Sequence, residues 1–189
     1  LEFQDDIEQA LDVLRKGGLI LYPTDTIWGI GCDATNADAV QKIFVLKKRA
    51  ETKSMIILLT DELDVLKYTS QPDLRVFDFL KTMQKPTTVI YDGAMGLAPN
   101  LIHADGSAAI RLVKEPFCRH LIKRFRKPIV STSANFSGEP SPKCFADISE
   151  EIKNKVDYVV RFRQEDNTVH LPSAIIKWNK NGIPEFIRY

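Results

Sequence analysis

A chain of 189 residues, 44% of them hydrophobic, holds enough apolar material for one good core and has the length of one domain, residues 1–189. Lys plus Arg number 26 against 25 Asp plus Glu, a near-neutral balance that argues against a protein built to coat nucleic acid but leaves room for a local basic cleft. Cys32, Cys118 and Cys144 are odd in number and far apart, which fits neither a disulfide framework nor a CxxC metal site, and no apolar run nears the ~20 residues of a membrane span. The expectation is a cytoplasmic protein with no membrane partner. No signal peptide opens the chain, and Leu1 in place of Met is read as processing or an artificial boundary.

Ile7, Ala10, Leu11 and Leu14 fall at helical spacing, and Gly17-Gly18 supplies a stop. Residues 19–22 form a short apolar run ended by Pro23, which fits a buried strand. Asn36 can cap a helix through Ala37, Val40, Ile43 and Phe44 that ends near Lys47-Lys48-Arg49. Residues 55–59 read as a strand, 63–68 and 73–82 as helices, and 87–91 and 108–113 as strands with a loop over 91–105. Residues 117–125 read as a helix, 128–132 as a strand, and 157–163, 173–178 and 185–189 as closing strands. Strands alternate with helices and then dominate, which predicts an α/β domain with a mixed sheet.

Three segments could carry chemistry. Pro23-Thr24-Asp25-Thr26-Ile27-Trp28-Gly29-Ile30-Gly31 follows a strand, where ligands of open α/β sheets usually sit, and offers two hydroxyls, a carboxylate and close backbone approach. An ordinary turn is the equal alternative, and neither G-x-G-x-x-G nor a P-loop is present. Lys47, Lys48, Arg49 and Lys53 concentrate positive charge suited to phosphate, although a solvated helix end has the same composition. The strand at 128–132 ends in Ser131-Thr132-Ser133-Ala134-Asn135, whose short donors, with Ser141, can approach phosphate or ribose while Asn135 fixes the loop; turn chemistry is again the plain alternative. Arg111, inside Ala108-Ala109-Ile110-Arg111-Leu112-Val113, needs an anionic partner, either a structural carboxylate or one from a substrate. Arg188 raises the same question with less force. His103, His120 and His170 are scattered and fit no metal spacing, so no metal ligands are assigned.

Together these segments resemble the YrdC/TsaC-like threonylcarbamoyl-AMP synthases over residues 7–189. The matching stretches are the run from Tyr22 through Gly31, K-x-R at Lys47 and Arg49, and S-x-N at Ser133 and Asn135. Ser137-Gly138, Pro140-Ser141-Pro142, Pro172-Ser173-Ala174-Ile175-Ile176 and Ile187-Arg188 complete them. The resemblance implies a twisted, mixed open sheet with flanking helices and a large electropositive groove. It implies that L-threonine, bicarbonate and ATP, with Mg²⁺, give threonylcarbamoyl-AMP and pyrophosphate. By the same likeness Lys47, Arg49, Ser133 and Asn135 are catalytic. Arg49, Lys53, Ser107, Ser133, Ser141 and Arg188 bind ATP, and Thr26, Arg111, Ser131 and Ser173 surround threonine. The product would pass to proteins that transfer threonylcarbamoyl to tRNA, and transient contact with tRNA or double-stranded RNA fits the same reading.

The chain departs from the family pattern at Gln84-Lys85-Pro86-Thr87-Thr88, where Pro-Gly-Pro-x-Thr is frequent, at Ser107 and Ala174, where Thr is frequent, and at Leu58, where a His contact to threonine is frequent. At this length there is no room for the extra C-terminal domain of longer relatives. The competing readings are an RNA-binding module, an inactive paralogue and a nucleotide-sensing domain without turnover. Near-neutral charge weakens the first, and retention of K-x-R and S-x-N weakens the second.

Overall fold

The computed structural model describes residues 2–50 and 55–189. Helix α1 (Gln4–Arg15) buries Ile7, Ala10, Leu11 and Leu14, the stripe its spacing requires, and ends at Gly17, whose positive φ of 74° reverses the chain. Strand β1 (Ile20–Tyr22) leads to β2 (Gly29–Gly31), and α2 (Ala37–Lys47) is capped by the Asn36 side chain, which accepts from the Ala39 amide at 3.1 Å. There follow β3 (Ile56–Leu59), α3 (Glu62–Tyr68), α4 (Arg75–Thr82), β4 (Thr87–Tyr91), β5 (Ala108–Leu112), α5 (Pro116–Phe125) and β6 (Ile129–Ser133). The chain closes with α6 (Glu150–Lys155), β7 (Tyr158–Val159), β8 (Ala174–Trp178) and β9 (Pro184–Arg188).

All nine strands described form one mixed sheet in the order β7-β1-β2-β6-β3-β5-β4-β8-β9. Its register explains both of its faces. One cross-strand row, Val130–Ile57–Ile110–Val89–Ile176, is apolar and no more than 1% exposed. The row displaced by one residue reads Ile129–Leu58–Arg111–Thr88–Ile175–Arg188. Because successive side chains point to opposite faces, a one-residue offset separates a hydrophobic face from one that carries two arginines and a threonine. Helix α5 packs against β3 and α1, and Phe3, Phe117 and Phe162 pack ring to ring with centroids 4.9–6.2 Å apart.

Three elements differ from the sequence expectation. The segment after Pro23, for which the sequence offers a ligand-binding stretch or an ordinary turn, contains a strand, β2. Gly31 permits it, since a Cβ there would lie 2.6 Å from both Tyr22 Cε1 and the Val130 carbonyl, to which the Tyr22 hydroxyl donates at 2.9 Å. The strand expected over 157–163 pairs only at Tyr158 and Val159, because the buried Asp6 carboxylate takes the amides of Arg161 and Phe162 at 3.1 and 2.9 Å and draws the chain off the sheet edge. Helix α6 was not anticipated; Ser149 caps it by accepting from the Ile152 amide at 3.3 Å.

Candidate functional site

A cleft of about 360 Å³ lies on the arginine-bearing face of the sheet rather than beyond the strand ends. Ile56 of β3, Ala109 and Arg111 of β5, Ser131 and Ser133 of β6, and Ile175 of β8 contribute to its lining. The 23–31 segment adds Thr26 and Trp28, and the loops add Arg49, His103, Ser141 and Ser173. Three guanidinium groups, from Arg49, Arg111 and Arg188, line it, and among the described residues none of its lining side chains is a carboxylate. It is therefore a place where an anion would be met by donors on several sides.

At one end Arg111 is 2% exposed. Its Nη2 lies 3.0 Å from Asp25 Oδ1 and donates to Thr26 Oγ1 at 3.1 Å, so the buried cation has a structural carboxylate partner. Its Nε, buried, has no hydrogen-bond partner. The arginine is thus neutralised internally through Nη2, while its buried Nε is left without a partner. Thr26 Oγ1 lies 3.1 Å from Thr24 Oγ1, and Ser173 Oγ lies 2.9 Å from Thr88 Oγ1. Arg188, otherwise exposed, donates from Nε to the Ser173 carbonyl at 3.0 Å, and burial followed by repulsion from Arg111 lowers its pKa.

At the other end the cationic segment divides. Lys48 takes a left-handed conformation (φ 51°) and places its ammonium 4.9 Å from the centroid of Phe136. Lys47 is fully buried, the opposite of a solvated helix end. Its ammonium donates to the Ser133 carbonyl, to Thr132 Oγ1 at 3.0 Å and to Ser133 Oγ at 3.3 Å. Among the described residues it has no carboxylate partner. Burial, with repulsion from Arg49, brings its pKa down to about 7. Burial also lowers the pKa of Arg49.

The expected site residues therefore gather unevenly. Thr26, Arg49, Arg111, Ser131, Ser133, Ser141, Ser173 and Arg188 line the cleft. Lys47 lies beneath Ser133. Asn135 stands behind the lining and closes its own loop, donating to the carbonyls of Phe136 at 3.0 Å and Glu139 at 2.8 Å. Ser107 is fully buried, and its hydroxyl is engaged with Asp105 and His103 rather than presented to the cleft. Lys53 lies outside the described residues. Leu58 is buried in the row beside Arg111 and offers that wall no polar group. Sequence reading did not single out His103, which no spacing marked, nor the pairing of Asp25 with Arg111, residues far apart in the chain.

The fold is that of a known class. The sequence profile of the Sua5/YciO/YrdC family, described as telomere recombination, matches residues 12–189, and the chain belongs to that family. A protein of Coxiella burnetii named threonylcarbamoyl-AMP synthase is 34% identical over 164 residues, covering 84% of this chain and 86% of its own. The crystal structure of P. abyssi Sua5 complexed with L-threonine superposes with a TM-score of 0.83 at 23% identity, over 96% of this chain and 53% of that longer one. E. coli YciO gives a TM-score of 0.80 at 20% identity, over 98% and 89% of the two chains. These two structures share the fold.

Proposed function

We propose that this protein is an L-threonylcarbamoyladenylate synthase, a nucleotidyltransferase that uses L-threonine, bicarbonate and ATP in tRNA modification. The observation that carries the reading is the cleft itself, in which three arginines and a buried lysine surround a floor of serines and threonines with no lining carboxylate among the described residues. The names of relatives that match most of their own length support the same activity.

The threonine amine would add to bicarbonate with loss of water, giving a carbamate. A carbamate oxygen would then attack the α-phosphorus, forming a new P–O bond as the bond to the β-phosphate breaks and pyrophosphate leaves. The chemistry needs no side-chain nucleophile; it needs the reactants held in line and their repulsion offset. Arg111 Nε, with Thr26, Ser131 and Ser173, would hold the threonine carboxylate and hydroxyl. Arg49, Arg188, Ser133 and Ser141 would hold the nucleotide, with Lys47 supplying charge from below and Lys53 adding to it. Mg²⁺ would arrive as the metal salt of ATP and offset charge on the phosphates. Transient contact with tRNA or double-stranded RNA, transfer of the product by separate proteins and a cytoplasmic setting belong to the same proposal. The described residues contain no helix long and apolar enough to cross a membrane.

The test is pyrophosphate release from ATP and Mg²⁺ with threonine and bicarbonate each present or omitted. Release that requires both, and that falls sharply in Arg49→Ala and Ser133→Ala, is the expected outcome. ATP binding without release would leave a nucleotide sensor, and RNA binding without either would leave the RNA module.

A further inference from the structure

Among the described residues, few buried polar side-chain atoms have no hydrogen-bond partner, and two of them, Arg111 Nε and His103 Nε2, belong to residues lining the cleft. A buried polar atom without a partner calls for an explanation. Arg111 Nε can only donate. The character of His103 Nε2 is fixed by the groups behind it. Asp105 is held below the usual carboxylate range, first by the Ser107 hydroxyl and then by the Ser107 amide, so its oxygens only accept. Ser107 Oγ, fully buried and 2.6 Å from Asp105 Oδ1, gives its one proton there. The same oxygen lies 2.7 Å from His103 Nδ1, where it can now only accept, so Nδ1 carries a hydrogen. In the neutral ring this leaves a lone pair on Nε2.

His103 is tied to the start of β5, its amide donating to the Ser107 carbonyl at 2.8 Å, whereas Arg111 lies further along that strand. Two residues of the cleft lining, well separated along it, therefore carry one unmatched donor and one unmatched acceptor. Met55, Ile56, Ile90 and Ala109 give the same cleft apolar walls that suit the faces of a nucleoside.

We propose that His103 reads the nucleoside, its Nε2 accepting a hydrogen bond from an N–H or O–H donor of ATP, with Ser107 and Asp105 as positioning residues that fix the tautomer. The proposal rests on the synthase reading and changes one part of it, since Ser107 then serves ATP through His103 and not by direct contact. The donor is the adenine amino group or a ribose hydroxyl, and the two are separable with analogues.

Two measurements test this. First, ¹⁵N NMR of the nucleotide-free protein at about pH 8, where an unperturbed imidazole is neutral, should find His103 protonated on Nδ1, and Ser107→Ala should move the hydrogen to Nε2. Protonation on Nε2 in the wild type would overturn the proposal. Second, dissociation constants are measured for ATP, for the purine riboside triphosphate that lacks the amino group, and for 2′-deoxy- and 3′-deoxy-ATP. One analogue should bind the wild type about tenfold more weakly than ATP. His103→Leu should bind that analogue and ATP alike, and His103→Gln, whose amide oxygen also accepts, should recover part of the preference. If no analogue is discriminated by the wild type, the inference is wrong while the synthase reading stands. If ATP itself does not bind, both fail. Should His103→Leu not fold, the NMR result and the Gln variant still decide the matter.

Discussion

The two ends of the cleft meet charge in opposite ways. At the Arg111 end the buried groups have protein partners already, namely Asp25 for Arg111, Thr24 for Thr26 and Thr88 for Ser173, while Arg188 rests on the Ser173 carbonyl. At the Ser133 end a fully buried ammonium is held, among the described residues, by hydroxyl and carbonyl oxygens, beside the half-buried Arg49. The first arrangement pairs its buried arginine with a carboxylate and suits a zwitterion such as an amino acid, which brings both signs with it. The second holds a buried amine whose protonation desolvation disfavours until an anion arrives to stabilise the charged form, and it suits a polyanion. The contrast teaches that substrate charge can be read from which cations a fold neutralises internally and which it leaves to be neutralised.

The strongest way to break this comparison is Arg111→Ala. Truncating one partner of a buried charge pair costs about 2–5 kcal/mol, so kcat/KM for threonine should fall at least about thirtyfold while ATP affinity holds within about threefold. The same variant strands Asp25 and should lower Tm. Adding Asp25→Ala should recover Tm without recovering threonine use, which separates the structural role of the arginine from its role toward ligand. Equal losses for both substrates would erase the distinction between the ends.

Lys47→Met is next in size. A charge a few ångströms from a phosphate contributes roughly 1–4 kcal/mol near a protein surface, so ATP affinity should fall about tenfold or more in titration calorimetry, with threonine affinity little changed. The lysine also gives the fold a pH signature. Its pKa is about 7 when folded against an ordinary 10.5, so between those values the unfolded chain binds more protons and stability rises with pH. The contribution is complete above the ordinary lysine value and is lost as pH falls toward about 7. Denaturant titrations should show this rise in the wild type and a flatter profile in Lys47→Met. A bound triphosphate favours the charged amine, so ATP binding at about pH 8 should take up protons, seen as a dependence of the binding heat on buffer ionisation.

The smallest expected effect is at Ser173→Ala. Loss of one neutral hydrogen bond, about 0.5–1.5 kcal/mol, should raise the KM for threonine by less than about tenfold and leave ATP affinity intact. A larger effect on ATP would place the boundary between the two ends elsewhere.

Much of the fold was legible because its signals are local. The α1 stripe, the Asn36 cap and the apolar runs of β3 to β6 each lie within a few residues of sequence. What was not legible depends on partners distant in the chain. Nothing near Gly29 announces a strand, since that strand exists through Tyr22 and Val130. Nothing near Tyr158 says that Asp6 will end its pairing. The site followed the same rule. Short motifs brought Arg49 and Ser133 forward and an apolar setting brought Arg111, but burial turned Lys47 from a surface cation into an interior one. Ser107, which the family resemblance offered to the nucleotide, turns its hydroxyl to Asp105 and His103.

The central position of β6 has a further consequence. It lies between β2 and β3 and is tied to β1 through the Tyr22–Val130 hydrogen bond, which spans 108 residues of sequence; Lys47 reaches Thr132 across 85. Contacts of such separation form only after the entropy of closing long loops has been met, and they slow folding. The serine floor therefore has no partly built precursor, and a chain still being synthesised offers ATP nothing to hold until Ser133 has been made and β6 has docked. Ligand and fold should consequently protect the same amides, with Val130 and Ser133 exchanging their hydrogens only when the whole domain opens.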